Sequence, residues 1–178
     1  MSLQHTFHFP YPARRVFRLY TSKQFIEGRF AESGIPSPAV EVEQMAGKMR
    51  ITSRLDIRHQ LGKARYLLRP LGLDTFMLDY AIEWHEHSDA HMEAEYSYTP
   101  VGLNMKLAGT LKLRETIPGQ STLEHRTRWD GPLSGRLHQW LENMLVERVH
   151  KEFSADMSAL EMLLENESEK NAPSERGA

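Results

Sequence analysis

The sequence predicts an α+β fold in which a curved antiparallel β-sheet, of about seven strands, wraps around one long C-terminal helix. From Ala39 to Asp130, apolar and polar side chains alternate with a period of two, which is typical of strands that bury one face. After Gly131-Pro132, apolar residues recur every three or four positions to about Leu164, which predicts one amphipathic helix. The sheet must bury its apolar face against this stripe. The stripe consists of Leu137, Leu141, Leu145, Val149, Phe153, Met157, Leu160 and Leu164.

One strand and two short helices are predicted before the alternating region. Leu3, His5, Phe7 and Phe9 alternate with polar residues and predict the first strand, which the following proline ends. Pro12 suits the first turn of a helix. A second short helix is predicted over 22–31. The inward residues of these two helices are Val16, Phe17 and Tyr20, and then Phe25, Ile26 and Phe30.

The alternating region divides into strands at 39–46, 48–58, 74–86, 90–101, 105–117 and 121–130. Several connections are short, as at Gly47 and at Pro118-Gly119, and short connections join antiparallel strands. Residues 33–38 and 59–73 are predicted loops, the second with room for a helical turn. We therefore expect one domain over residues 1–165. Residues 166–178 are polar and lack aromatic side chains, which predicts a disordered tail.

The inner face of the predicted sheet is not purely aliphatic. The alternation also places Gln44, Ser53 and Thr127 on it, next to apolar residues such as Val42. Burying polar groups costs free energy unless each finds a hydrogen-bond partner, and a mostly apolar pocket with a few polar groups is typical of small-molecule sites. Tyrosines with hydroxyls at the solvent rim and one core histidine are the alternative explanation. The residues predicted to line a ligand-binding cavity are Tyr80, Trp84, Tyr96, Tyr98, His125, Trp129, Leu137, Leu141 and Leu145.

The composition narrows the class of protein. The chain has 178 residues, 40% of them hydrophobic and 26% charged, which fits one soluble domain. A formal net charge of −2 argues against a nucleic-acid partner. The absence of cysteine excludes disulfides, a thiolate nucleophile and Cys-based metal sites. The N-terminal residues do not resemble a secretory signal and no apolar run is long enough for a membrane span, so we expect a cytoplasmic protein.

The spacing of three histidines at one hairpin is compatible with a metal site. His85, His87 and His91 flank the turn at 86–90, where imidazoles from two strands can approach one another. Their phase places them on the outer, polar face, where a solvated hairpin explains them more simply. The sequence also lacks a glycine-rich phosphate loop and a Gly-x-Ser-x-Gly motif. We therefore predict no metal and no cofactor.

Several local motifs accompany this order of elements. They are the opening Phe-Pro-Tyr-Pro-Ala-Arg-Arg-Val-Phe, Ile117-Pro118 before the last strand, and 131–135 (Gly-Pro-Leu-Ser-Gly) before the long helix. In these features residues 1 to about 165 resemble the SRPBCC superfamily, the START and pollen-allergen-like helix-grip domains, and within it a bacterial group without an assigned function. The resemblance implies a deep cavity used for lipids, sterols, polyketides or other apolar molecules. Some relatives are cyclases or dehydratases, and others are carriers. No catalytic motif of the superfamily maps onto this chain.

Three functions remain open at this point. The leading one is a non-enzymatic protein that binds a small apolar or amphipathic ligand between sheet and helix. The second is a cyclase- or dehydratase-like enzyme, with His125 as general acid/base and a tyrosine that polarises a substrate oxygen. The third is a protein-interaction module without a functional cavity. Trp140 lies beside the main apolar stripe of the long helix, and it either plugs one end of the cavity or belongs to a dimer face. The sequence is therefore also compatible with a homodimer.

Overall fold

A computed structural model describes residues 2–35, 39–58, 77–102, 106–130 and 136–171, with side chains at these positions except 2–3, 129–130, 136–148, 152 and 169–171. The chain begins with one strand and two helices, continues with six strands, and ends in a long helix. In order, the elements are β1 (Ser2–Phe9), α1 (Ala13–Tyr20), α2 (Lys23–Glu32), β2 (Val40–Met45), β3 (Lys48–Asp56), β4 (Met77–Ser88), β5 (His91–Pro100), β6 (Lys106–Ile117), β7 (Gln120–Asp130) and α3 (Arg136–Asn171).

The strands form a single curved sheet, which confirms the predicted fold class. Its seven strands follow the order β1-β7-β6-β5-β4-β3-β2, so the first strand of the chain pairs with the last. Every neighbouring pair is antiparallel. Gly47 and Gly119 lie in the predicted hairpin turns with φ of 72° and 82°, a left-handed conformation that glycine adopts without a steric penalty.

The core lies between the inner face of this sheet and the three helices. The inward residues predicted for α1 and α2 are all buried. Ser22 starts α2, because its side chain accepts a hydrogen bond from the backbone N–H of Phe25 at 3.2 Å. On α3 the described part of the stripe is buried from Phe153 to Leu164. The register also buries most of the predicted inner face of the sheet, namely Ile51, Ser53, Leu55, Tyr80, Ile82, Trp84, Met92, Ala94, Tyr96, Leu107, Leu111, Leu113, Leu123, His125 and Thr127.

Two sequence expectations need correction. Val42 and Gln44 were assigned to the inner face, but Val42 is 41% exposed and Gln44 is exposed as well. Both lie on β2, an edge strand whose burial ends after Val40. The long helix was expected to end near Leu164, but α3 continues to Asn171. Glutamate and lysine are good helix formers, so a polar composition does not by itself end a helix.

Some expectations fall outside the described residues. They include the loop at 59–73, the start of the fourth predicted strand at 74–76, and residues 172–178 of the predicted tail. None of the helices in the described part of the chain has an apolar stretch long enough to cross a bilayer.

Candidate functional site

A small cavity lies between the inner face of the sheet and the helices. Its volume is about 40 Å³, which is room for a few water molecules. Its wall is unusual because aromatic and charged side chains share it. The sheet contributes Tyr80, Ile82, Tyr96, Tyr98, Leu111 and His125, and the helical side contributes Tyr20, Arg29, Phe30, Ser33, Val149, Phe153 and Asp156.

Three buried polar side chains form a hydrogen-bonded triangle at this cavity. The Oη atom of Tyr96 lies 2.5 Å from Nε2 of His125 and 2.7 Å from Oγ1 of Thr127. Oγ1 of Thr127 lies 3.0 Å from the same Nε2. These bonds offset the cost of placing an imidazole, a phenol and a hydroxyl in the core.

The strand register explains why these three side chains meet. Tyr96 on β5 pairs with Gly109 on β6, and Gly109 pairs with Thr127 on β7. His125 lies two residues from Thr127 and therefore on the same face of the sheet. Since Gly109 has no side chain, the phenol of Tyr96 can extend across β6 and reach β7. A Cβ atom at Gly109 would lie only 2.5 Å from Oη of Tyr96.

Burial controls the protonation of His125. The side chain is 2% exposed, and its ring packs against Phe153 with 3.9 Å between centroids. Burial, with a smaller contribution from the nearby His5 and His150, lowers the pKa of His125 to about 3. His125 is therefore neutral at physiological pH. Its Nδ1 atom is buried and has no hydrogen-bond partner among the described residues.

Two further histidines adjoin His125, and the sequence predicts neither of them as a site residue, although it places His5 in the first strand. His5 pairs with His125 across β1 and β7, with 6.3 Å between ring centroids. His5 also stacks on His150 of α3 at 4.1 Å. Burial and the neighbouring His150 lower the pKa of His5. The available signal was that His5 shares one face of the first strand with Phe7 and Phe9.

Sequence reasoning also missed a charged pair in the wall. Nη1 of Arg29 on α2 lies 3.6 Å from Oδ2 of Asp156 on α3, and the side chains are 8% and 13% exposed. The guanidinium lies over the rings of Phe30 and Tyr80, 4.8 Å and 5.4 Å from their centroids. Helical spacing carried a signal, because Arg29 lies four positions after Phe25 and Asp156 three positions after Phe153, on the buried faces of their helices.

The predicted lining residues differ in where the structure places them. Tyr80, Tyr96, Tyr98 and His125 lie together in the wall of the cavity. Trp84 is 1% exposed but packs edge-on against Phe17 and Tyr20. The side chains of four others are outside the described residues, so their role remains a prediction. These four are Trp129, Leu137, Leu141 and Leu145.

The histidines considered as metal ligands lie at the surface hairpin between β4 and β5. His87 and His91 are tilted neighbours, with 4.9 Å between ring centroids. His91 Nε2 lies 3.0 Å from a carboxylate oxygen of Glu93, and His85 Nε2 lies 3.1 Å from one of Glu83. Within the described ranges, no three histidine, aspartate or glutamate side chains are grouped in a way that could hold a metal ion.

Comparison with known families assigns the chain to one of them. Residues 4–133 match the model of a family described as "Protein of unknown function (DUF2505)". The chain belongs to this family. A comparison with curated proteins finds no match to the sequence.

Solved structures share the fold of this DUF2505 member. The Zhui aromatase/cyclase from Streptomyces sp. R1128 is 14% identical, with a TM-score of 0.58 over 100% of this chain and 99% of the other. A protein from Rhizobium leguminosarum is 16% identical, with a TM-score of 0.56 over 93% and 95%. Dicamba monooxygenase bound to 3,6-dichlorosalicylic acid is 12% identical, with a TM-score of 0.57 over 99% of this chain and 53% of its own. At such identities the likeness shows the fold, and it confirms the helix-grip fold that the sequence predicts.

Proposed function

We propose that this protein binds a small apolar or amphipathic ligand between the sheet and helix α3. The observation that carries the proposal is the polarity of the cavity wall. Tyr20, Tyr80, Tyr96 and Tyr98 line it together with neutral His125. A protein that needed only a stable core would place aliphatic side chains there, because buried polar groups cost free energy unless hydrogen-bonded. Tyrosine rings supply contact area, and their hydroxyls and the imidazole orient a ligand.

The size of the cavity limits how a ligand is accommodated. About 40 Å³ is far below the roughly 300–1,000 Å³ of typical ligand pockets. The polar end of a ligand fits the existing space, whereas its apolar body must displace a side chain or move α3. Phe153 is the natural candidate, because it belongs to α3, lines the cavity and covers the ring of His125.

The test enlarges the cavity at this position. Phe153→Ala should create space next to His125 and bind the neutral fluorophore Nile red about tenfold more tightly than the natural protein. Met157→Ala is the matched control, because Met157 is equally buried on the same helix but does not belong to the cavity wall. Equal gains in the two variants would indicate loosened packing. Native mass spectrometry of protein purified from its own host is the direct test, and it should detect a bound small molecule.

Two results together would contradict the proposed ligand binding. The native mass spectrum would show only the bare chain, and Nile red would bind neither the natural protein nor Phe153→Ala. Such results would mean that the polar wall is a closed structural network.

One observation favours an enzyme as the second candidate. A cyclase- or dehydratase-like mechanism requires a tyrosine within hydrogen-bond reach of His125, and Tyr96 lies at 2.5 Å. The protonation equilibria argue against acid–base catalysis, however. A general acid or base works best with a pKa near the operating pH, but burial lowers the pKa of His125 to about 3 and raises that of Tyr96. A hydrogen-bonding role fits both groups better, and any turnover that survives His125→Ala would remove His125 from the chemistry.

A further inference from the structure

The guanidinium of Arg29 lacks a hydrogen-bond partner on one side. Arg29 lines the cavity, and its side chain is 8% exposed. Its Nη2 atom is buried and has no hydrogen-bond partner among the described residues. Buried arginines normally have their donors paired, because an unpaired buried donor is destabilising, above all when it is charged. A group that accepts a hydrogen bond from Nη2 would remove this cost.

The other side of the guanidinium already has a counter-charge. Nη1 lies 3.6 Å from Oδ2 of Asp156, and Cζ of Arg29 lies 4.8 Å and 5.4 Å from the ring centroids of Phe30 and Tyr80. Although burial acts to lower the pKa of Arg29, the surrounding Tyr80 and Asp156 raise it, so the cation is retained. The charge of Arg29 is therefore balanced within the protein.

This balance determines what kind of group fits at Nη2. His125, the other titratable nitrogen base in the described wall, is neutral at physiological pH. An incoming carboxylate would add a second negative charge beside Asp156 in a poorly solvated site, where like charges repel strongly. An uncharged oxygen acceptor would satisfy Nη2 without disturbing the ion pair. Charge balance thus favours a neutral acceptor over an anion.

We propose that Arg29 donates a hydrogen bond from Nη2 to the uncharged carbonyl-type oxygen of a ligand whose apolar body contacts Tyr80 and Tyr98. This inference rests on the proposed ligand-binding function and specifies the polar end of the ligand. The carboxylate of Asp156 disfavours anionic ligands, because it repels their negative charge. Arg29 and Asp156 come from different helices, so the site is complete only when α2 and α3 lie together over the sheet.

The test compares two probes of nearly the same shape and different charge. 2-Naphthamide carries a neutral carbonyl, and 2-naphthoate carries a carboxylate. Each competes with Nile red on the natural protein and on four variants, one of which is a control. We expect the natural protein to prefer the amide by about tenfold. Asp156→Asn should shift this preference toward the carboxylate by about tenfold, because it removes the repelling charge and leaves Arg29 unbalanced.

The arginine variants complete the experiment. Arg29→Gln should weaken binding of the amide by about tenfold or more, while diphenylhexatriene, a hydrocarbon fluorophore that has no acceptor oxygen, still binds. Arg29→Lys keeps the charge but loses the planar donor pair, and it provides a second reading if the glutamine variant does not fold. Lys23→Gln is the control on the same helix, since Lys23 is exposed and pairs with Glu27 at 3.6 Å.

The outcomes separate this inference from the proposed function. If Nile red binds but the natural protein takes the carboxylate as tightly as the amide, the inference is wrong and ligand binding stands. The inference is also wrong if neither probe displaces Nile red. It is wrong as well if the Arg29 variants bind the amide as tightly as the natural protein does, because Nη2 is then satisfied by water. Failure of Nile red to bind any of these proteins, together with a native mass spectrum that shows only the bare chain, overturns the proposed function itself.

Discussion

The phenol of Tyr96 lies directly over Gly109, its register partner on the neighbouring strand. A Cβ atom at Gly109 would lie 2.5 Å from both Cζ and Oη of Tyr96, and closer still to the backbone oxygen of Arg126. The missing side chain creates the space through which the hydroxyl of Tyr96 reaches His125 and Thr127. The polar triangle at the cavity therefore depends on a glycine in the middle of a strand, where glycine is normally unfavourable.

Gly109→Ala should destabilise the protein by about 2–3 kcal/mol, since overpacking a core forces side chains and backbone to shift. The backbone oxygen of Arg126 cannot rotate away, so the strain cannot be relieved by one rotamer change. Urea unfolding measures the change in the free energy of unfolding.

The matched control for this substitution should change the free energy of unfolding in the opposite direction. Gly28 is exposed in α2, and an added Cβ there meets no atom within 4 Å. Gly28→Ala should stabilise the protein by up to about 1 kcal/mol, since alanine is the better helix former. A Gly109→Ala protein as stable as the natural one would refute the close approach of Tyr96.

Tyr96→Phe should cost about 1 kcal/mol in the free energy of unfolding. The substitution removes the hydroxyl that contacts His125 and Thr127, but those two side chains keep their mutual contact at 3.0 Å, which limits the loss. Tyr11→Phe serves as the comparison, because Tyr11 is only partly buried and its ring lies under Arg15. We expect less than about 0.5 kcal/mol there, and equal costs at the two positions would show that the buried triangle adds no stability.

Much of the fold was predictable because each element carries a strong local pattern. The period-two alternation assigned Tyr80, Tyr96 and His125 to one face, and the observed register places all three in the cavity wall. The hairpin turns were predictable from Gly47 and Gly119, since few other residues adopt a left-handed conformation.

The charged part of the site was not predictable in the same way. Arg29 and Asp156 lie far apart in the sequence, and only the tertiary fold brings their side chains within 3.6 Å. From the periodicity of the sequence alone, a charged residue on an apolar helix face is expected to lie at the surface. The exposure of Val42 has a related cause, because alternation assigns a side chain to a face without showing where the covering helices end.

A surface network on the outer face of the sheet allows an electrostatic prediction. A carboxylate oxygen of Glu93 lies 3.0 Å from Nζ of Lys112 and 3.2 Å from Nη2 of Arg114. The hydrogen bond from Lys112, with those from His91 and Arg114, lowers the pKa of Glu93 to about 2 against an opposing effect of burial.

Glu93→Gln should cost about 0.5–1 kcal/mol at low ionic strength and clearly less in 1 M salt, because a partly exposed network is screened. Glu27→Gln removes an isolated exposed pair with Lys23 and should cost less. Urea unfolding at the two ionic strengths measures both effects. A Glu93→Gln cost that does not change with salt would argue against an electrostatic origin.

The histidines next to the cavity make stability depend on pH below neutrality. Burial lowers the pKa of His125 to about 3 and also lowers that of His5, whereas an unfolded histidine has a pKa of about 6.5. As the pH falls below about 6.5, the unfolded chain takes up protons that the folded chain does not, so the free energy of unfolding must decrease.

His125 alone contributes a slope of up to about 1.4 kcal/mol per pH unit in this range. Urea unfolding between about pH 7.5 and 5 measures the slope before carboxylates titrate appreciably. His125→Gln should remove this contribution, because glutamine cannot take up a proton when the chain unfolds. His8→Gln removes an exposed histidine of β1 and controls for the loss of an imidazole as such. If the natural protein and His125→Gln lose stability in parallel as the pH falls, His125 is not held neutral in the folded protein, and its assignment as an uncharged hydrogen-bonding group of the cavity fails with it.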